Sequence, residues 1–234
     1  MERGKIELVF QQDQLPIKNY DTESSNKLYF KHSSLLGGGC KRAIIVGPSG
    51  CGKTNVMISL LEHPNGLRFE NVYVYSKSLY QPKYRYLRKL LEPLREIGYF
   101  EYEDSSTVIP PASARKNSVI IFDDVACHNQ SEIREYFCFG RHQNIDCFYL
   151  CQTYSSIPKQ LIRDNANMII VFQQDQLNMK HIYDDHVNMD MSFELFKILG
   201  SQSWHNKHEF LVIDKENEVN SGRYRKGFDC FFKI

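Results

Sequence analysis

The sequence predicts an α/β domain, a mainly parallel β-sheet with helices on both faces, and three observations predict it. Short runs of almost unbroken apolar residues recur along the chain, as expected of strands buried on both faces. Stretches long enough for a crossover helix separate them, which parallel neighbours require. One of the strand-to-helix junctions is a glycine-rich loop, a natural anion-binding turn.

Taken in order, residues 1–40 stand apart from the rest of the chain. They hold one strand-like run at Ile6–Phe10, a polar stretch Asp21–Lys27 and a hinge at Gly37-Gly38-Gly39. They read as a partly flexible N-terminal arm leading into one domain over residues 41–234. The predicted strands are Arg42–Val46, Asn71–Tyr75, Ser118–Asp123, Asp146–Cys151 and Asn167–Phe172. A helix from Lys53 to Glu62 is ended by Pro64 and Gly66. Another starts at Pro82, a favoured first-turn residue, and is interrupted at Pro93. A third has Asn129 and Glu132 at capping-box spacing and ends at Gly140, read as a left-handed cap. Helices near Gln174–Asp184 and Met191–Leu199 come next, then late strands at Phe210–Asp214 and Tyr224–Phe232 with Asn220-Ser221-Gly222 as a turn. The stretch Phe10-Gln11-Gln12-Asp13-Gln14-Leu15 recurs from Phe172 to Leu177, with no solenoid period to accompany it.

Composition narrows the class. Of 234 residues, 42% are hydrophobic and 24% charged, which excludes a disordered or collagen-like chain. The apolar runs are too short to span a bilayer, and the first residues lack the apolar core of a secretory signal. Seven scattered cysteines suit an intracellular protein with reduced thiols. The expected setting is intracellular, with no membrane partner. The net charge of +1 means that nucleic-acid binding requires a local patch.

The chemistry begins at Gly47-Pro48-Ser49-Gly50-Cys51-Gly52-Lys53-Thr54, which matches G-x-x-x-x-G-K-[ST] at every fixed position. Glycines let successive backbone N–H groups face a phosphate, and the helix start adds its positive dipole end. Lys53 is placed to reach the β- and γ-phosphates of ATP, and the Thr54 hydroxyl to ligate Mg²⁺. The strand Ser118–Asp123 ends in two acids. Asp123 reads as the Mg²⁺ carboxylate and Asp124 as the group polarising the attacking water, the competing reading being two acids that cap a loop. Gln152 follows the strand Asp146–Cys151, at the strand end where open parallel sheets bind ligands. It reads as a contact to the γ-phosphate or the water, or else as an ordinary loop residue.

Arg141 and Arg163 are candidate arginine fingers, the alternative being surface or ion-paired arginines. The pairs His181/His186 and His205/His208 lack metal-site spacing, and Cys127, Cys138, Cys147 and Cys151 lack a C-x-x-C pattern, so packing is the default. Lys77, Lys83, Arg85, Arg88, Lys89 and Arg95 cluster with Tyr80, Tyr84 and Tyr86, a composition that suits a nucleic-acid backbone. On the predicted helix, however, Tyr84, Leu87 and Leu91 share one face, and Arg88 can pair with Glu92 on the other. Arg223-Tyr224-Arg225-Lys226 is a second candidate patch.

Together these elements resemble the genome-packaging ATPases of poxvirus and Polinton type, in the FtsK–HerA group of P-loop motors. The specific part of the resemblance is Gly140-Arg141-His142-Gln143-Asn144, Tyr149 to Tyr154, Ile157-Pro158-Lys159 and Ile162-Arg163-Asp164-Asn165. It covers residues 41–172. What it implies is a RecA-like P-loop NTPase fold in which the strand bearing Gln152 lies between the phosphate-loop and Asp123 strands. It also implies Arg141 as the arginine finger, Arg163 as a further polar contact, and a homo-oligomeric ring that drives double-stranded DNA into a capsid, with capsid proteins as further partners. Two other classes remain open. One is a nucleotide kinase, since Gly47-Pro48-Ser49-Gly50 is similar to the guanylate kinase loop; the other is a nucleotide-binding scaffold or inactive element copy without turnover.

Overall fold

The computed structural model describes residues 31–33, 35–103, 108–125 and 130–234. The Ile6–Phe10 run, the first Phe-Gln-Gln-Asp-Gln-Leu copy, Asn129, Cys127 and His128 lie outside them. A single nine-stranded sheet runs β3-β2-β4-β5-β1-β6-β7-β8-β9. In chain order the strands are β1 (Arg42–Val46), β2 (Asn71–Ser76), β3 (Gly98–Tyr102), β4 (Ser118–Asp123), β5 (Asp146–Cys151), β6 (Met168–Phe172), β7 (Phe210–Asp214), β8 (Tyr224–Lys226) and β9 (Cys230–Phe231). Strands β1 to β6 pair in parallel, and β7 to β9 add antiparallel at the β6 side. This is the mostly parallel, helix-flanked sheet of a RecA-like P-loop NTPase.

The five apolar runs are the central strands, and β2, β5 and β6 are buried at every position. Alternate residues enter two separate cores. One face packs Ala43, Ile45, Val72 and Ile121 under α1 (Lys53–Glu62) and α2 (Pro82–Leu91). The other packs Ile44, Tyr75, Phe122 and Tyr149 under α3 (Ser131–Phe139), α4 (Gln176–His186) and α5 (Phe193–Ser203). Among the described residues no helix is long and apolar enough to cross a membrane.

Differences from the sequence reading have local causes. Gly140 does not cap α3 in a left-handed conformation. It stays right-handed (φ −53°) and continues into a 3₁₀ turn over Gly140–Gln143, and Asn144 takes the left-handed position (φ 56°). The residue preceding α3 is Gln130 rather than Asn129. Strand β3 is not anticipated by the sequence pattern, because Glu101 interrupts its apolar run; that carboxylate accepts from Arg88 and from Tyr99. Arg88 therefore pairs across to β3 instead of with Glu92. Helices α4 and α5 start two residues later than expected, at the side-chain caps Asp175 and Ser192. Asp175, inside the second Phe-Gln-Gln-Asp-Gln-Leu copy, accepts from the Asn178 backbone N–H at 2.8 Å. The late run Tyr224–Phe232 is two short strands, with Gly227 at φ 59° between them.

The end of the arm is docked. His32 is buried, and its Nε2 lies 3.0 Å from Asp146 Oδ1, which also accepts from the Lys41 backbone N–H at 2.6 Å. Lys31 meets the other carboxylate oxygen at 2.9 Å. Leu36 is buried in the α1–α2 core.

Candidate active site

The site lies at the carboxyl edge of the parallel strands, where β1, β5 and β4 stand side by side. The register puts β5 between the phosphate-loop strand and the Asp123 strand. The chain leaves β1 at Gly47, whose N–H donates to Cys151 O at 3.2 Å, so the loop starts pinned to the end of β5. A Cβ on Gly47 would stand 2.6 Å from Phe172 Cβ and 2.7 Å from Cys51 Sγ. Only glycine fits there. Gly52 precedes α1 with φ 119°, a conformation that L side chains avoid.

A cleft of about 140 Å³ at this edge is lined by Ser49, Gly50, Lys53, Thr54, Asp123, Asp124 and Gln152. The structure thus brings together the core residues that the sequence singles out. Lys53 Nζ donates to the carbonyls of Gly47 at 2.6 Å and Pro48 at 3.0 Å, which holds it over the loop. Thr54 Oγ1 lies 3.4 Å from Asp123 Oδ2. A hydroxyl and a carboxylate converging in this way are hard oxygen donors suited to Mg²⁺, which keeps most of its water and needs few protein ligands. Burial raises the Asp123 carboxyl above its ordinary value, against the hydrogen bond from Tyr84 and the charge of Lys53. Asp124 follows at φ 58°, a left-handed conformation that Asp tolerates, and its N–H donates to Leu150 O at 3.3 Å. Its side chain is exposed, as is Gln152.

The two arginines part company. Arg141 is exposed and makes no ion pair among the described residues. It sits in the turn before β5, where Ile145 N–H returns to Gly140 O. That is the amino edge of the sheet, opposite the phosphate loop, and β5 alone separates the two by roughly 16 Å. Arg163 is not in the cleft. Its guanidinium bonds Asp185 at 2.8 Å and lies 5.1 Å over the Tyr154 ring.

Tyr84 is the contact to Asp123 that sequence reasoning misses. Periodicity places it on the buried stripe of α2, and it is buried, but its hydroxyl donates to Asp123 Oδ2. The available signal is a polar tip on an otherwise apolar face, because a buried Tyr hydroxyl finds a partner. Ser78, Gln81 and Lys83 also line the cleft, so Lys83 belongs to it and not only to the basic surface. Of that surface, Lys77, Arg85, Lys89 and Arg95 remain exposed, as does Tyr80. The second patch is used internally: Arg223 pairs with Asp190, Arg225 with Asp214 and Lys226 with Glu209, and Tyr224 is fully buried. Among the described residues, His186 bonds the Tyr154 hydroxyl and His208 the Cys51 carbonyl.

Compared with known proteins, residues 27–226 match the family model described as poxvirus A32 protein. No curated protein matches the chain. Among solved structures, the chain is similar to the genome packaging NTPase B204 of Sulfolobus turreted icosahedral virus 2 in complex with sulfate. The identity is 13% and the TM-score 0.53, over 76% of this chain and 92% of that one. It is also similar to B204, the DNA-packaging ATPase of Sulfolobus turreted icosahedral virus. There the identity is 15% and the TM-score 0.50, over 74% and 92% of the two chains.

Proposed function

Because the chain belongs to the poxvirus A32 protein family, we propose that it is an ATP-hydrolysing motor. It would act as a homo-oligomeric ring that moves double-stranded DNA into a capsid inside the host cell, with capsid proteins as docking partners. The observation that carries this reading is the convergence of Lys53, Thr54, Asp123, Asp124 and Gln152 on one cleft at the carboxyl edge of the sheet. The fold shared with B204, a genome packaging NTPase, agrees with it.

In this reading the backbone N–H groups of the loop from Ser49 to Thr54 bind the phosphates. Lys53 leaves the Gly47 and Pro48 carbonyls for the β- and γ-oxygens, exchanging neutral acceptors for charged ones. Thr54 and Asp123 would hold Mg²⁺, and the ion would supply positive charge to the phosphates. Asp124 takes the proton of the attacking water, and Gln152 orients that water toward phosphorus. Arg141 cannot span the sheet to its own cleft. It stabilises the transition state on a neighbouring subunit, as the free guanidinium of a ring interface does. Arg163 is a positioning residue: by holding Tyr154 it fixes the segment that leads away from Gln152.

The test is steady-state ATP hydrolysis with and without long double-stranded DNA, at low and moderate salt, beside Lys53→Ala and Asp123→Ala. Stimulation by DNA that fades with salt and is absent from both variants is the expected result. Binding of ATP with no turnover under any DNA condition would favour the scaffold, and phosphate transfer to a nucleoside monophosphate would favour the kinase.

A further inference from the structure

The amino edge of the sheet, away from the cleft, carries a row of side-chain contacts. Glu70 stands just before β2, Asn117 before β4, Asn144 before β5, Cys40 before β1 and Asn167 before β6, and these strands are neighbours in that order. The residues join across the edge. Asn117 Nδ2 donates to Glu70 Oε1 at 2.9 Å, and Asn144 Nδ2 to Asn117 Oδ1 at 2.6 Å. Cys40 Sγ donates to Asn144 Oδ1 at 3.3 Å, and Asn167 Nδ2 to Cys40 O at 2.9 Å. Arg141 sits in the middle of this row. Its turn is closed by Asn144, whose N–H donates to Arg141 O at 3.1 Å from the left-handed region at φ 56°. Asn144 is exposed, however, and hydrogen bonds there compete with water.

The docked arm supplies a firmer hold. Lys31 Nζ donates to the Asn144 carbonyl at 2.6 Å and meets Asp146 Oδ2 at 2.9 Å. The Lys31 side chain is 9% exposed and that of Asp146 0%, so the pair is little screened and the ammonium is fixed in place. His32 secures the same carboxylate. The Arg68 backbone N–H donates to His32 Nδ1 at 3.1 Å, which assigns the ring proton to Nε2, facing Asp146 Oδ1 at 3.0 Å.

We propose that Lys31 and Asn144 are positioning residues for the arginine finger: the arm's ammonium, seated on Asp146, grips the Asn144 carbonyl and fixes the turn from which Arg141 reaches a neighbouring cleft. The inference rests on Arg141 acting as that finger and deepens it. Arg141 is exposed and makes no ion pair among the described residues, so its aim is set by its turn. A displacement of about 1 Å in such a group can cost ~10²-fold in rate.

The experiment measures Mg-ATP affinity and single-turnover hydrolysis, with long double-stranded DNA present, for the full chain carrying Lys31→Met, Arg141→Ala or both. Lys31→Met keeps the aliphatic stem and removes the ammonium. It is expected to bind Mg-ATP as the native chain does and to hydrolyse it roughly 10²-fold more slowly. Added to Arg141→Ala, the same substitution should cost nothing further, because its effect passes through the guanidinium. Equal slowing in both backgrounds, or weakened Mg-ATP binding, would mean a general structural loss and overturn the proposal. Native hydrolysis by Lys31→Met beside an inactive Arg141→Ala overturns the positioning role and leaves the finger standing. Normal hydrolysis by Arg141→Ala removes the finger, and its positioning with it. If Lys31→Met fails to fold, Asn144→Gly is read by the same comparisons, since it keeps the left-handed turn and removes the side-chain contacts to Cys40 and Asn117.

Discussion

At the scale of single residues, Asp123 is where the competing demands of the site meet. It must be charged to hold a cation, yet burial works against its charge, and Tyr84, Lys53 and Thr54 offset that cost. Removing a donor from a buried carboxylate costs about 1.5–3 kcal/mol. Tyr84→Phe should therefore lose stability of that order in urea unfolding without divalent cations. An unchanged midpoint would mean that the hydroxyl does not hold Asp123. Gly47 carries a different constraint, one of space. With a Cβ forced to within 2.6 Å of the Phe172 Cβ, Gly47→Ala has to shift the start of the loop and misdirect its N–H groups. Loss of one charge-assisted phosphate bond predicts at least a roughly tenfold weaker Mg-ATP affinity, beside an overpacking loss of about 1–3 kcal/mol in stability. Native-like affinity in calorimetric titration would show that the loop absorbs the methyl group.

Among the elements, α4 and the segment after β5 form a polar knot behind the site. Tyr154 bonds both Asp185 at 3.0 Å and His186 at 2.7 Å, while Arg163 and Lys159 pair with Asp185. His186 is buried, and desolvation foremost, with Lys215 nearby, lowers its pKa to about 3. A histidine that is neutral when folded but free to protonate when unfolded favours the unfolded chain as pH falls below its ordinary value of 6.5. Its stability contribution is complete above that value and is lost progressively down to about pH 3, with a slope approaching ~1.4 kcal/mol per pH unit. His186→Gln, which cannot titrate, should flatten the fall in unfolding free energy between about pH 6.5 and about pH 4.5. Parallel curves for the two proteins would show that other groups govern it.

None of this knot is legible in the sequence, because its partners come from segments related only by folding. What is legible is what local pattern dictates. Five buried strands can be read from unbroken apolar runs, α1 from a glycine loop and following proline, and the main cleft residues from fixed spacing. Strand β3 is hidden because its Glu101 is neutralised by Arg88 from another element. Residues 223–226 look like a solvent-facing basic patch because Asp190, Asp214 and Glu209, which neutralise them, are distant in sequence. Sequence spacing likewise places a guanidinium near a strand but does not say at which end of the sheet it emerges.

For the whole molecule, that last distinction decides whether one chain is a complete catalyst. The phosphate loop hangs from the carboxyl end of β5, through Gly47 N–H to Cys151 O, and Arg141 emerges before its amino end. A rigid, fully buried strand lies between them, so no side-chain rotation carries Arg141 to its own cleft. If Arg141 is needed for turnover, the active unit is at least two chains, arranged with the amino edge of one sheet against the carboxyl edge of the next. A contact of this head-to-tail kind gives a ring where its rotation closes and an open filament where it does not. Arg141→Ala should then bind Mg-ATP with native affinity but lose turnover by roughly 10³-fold or more. Mixing supplies the sharper measurement. Each variant chain disables a cleft that is not its own while leaving its own cleft dependent on a neighbour. If hydrolysis is passed around the ring, one variant chain stalls the rest. ATPase activity at constant total protein should accordingly fall more steeply than the fraction of native chains, and Lys53→Ala chains should rescue none of it beyond the interfaces they complete. A strictly proportional decline would mean that each chain works alone, and an Arg141→Ala protein with normal turnover would remove the finger altogether.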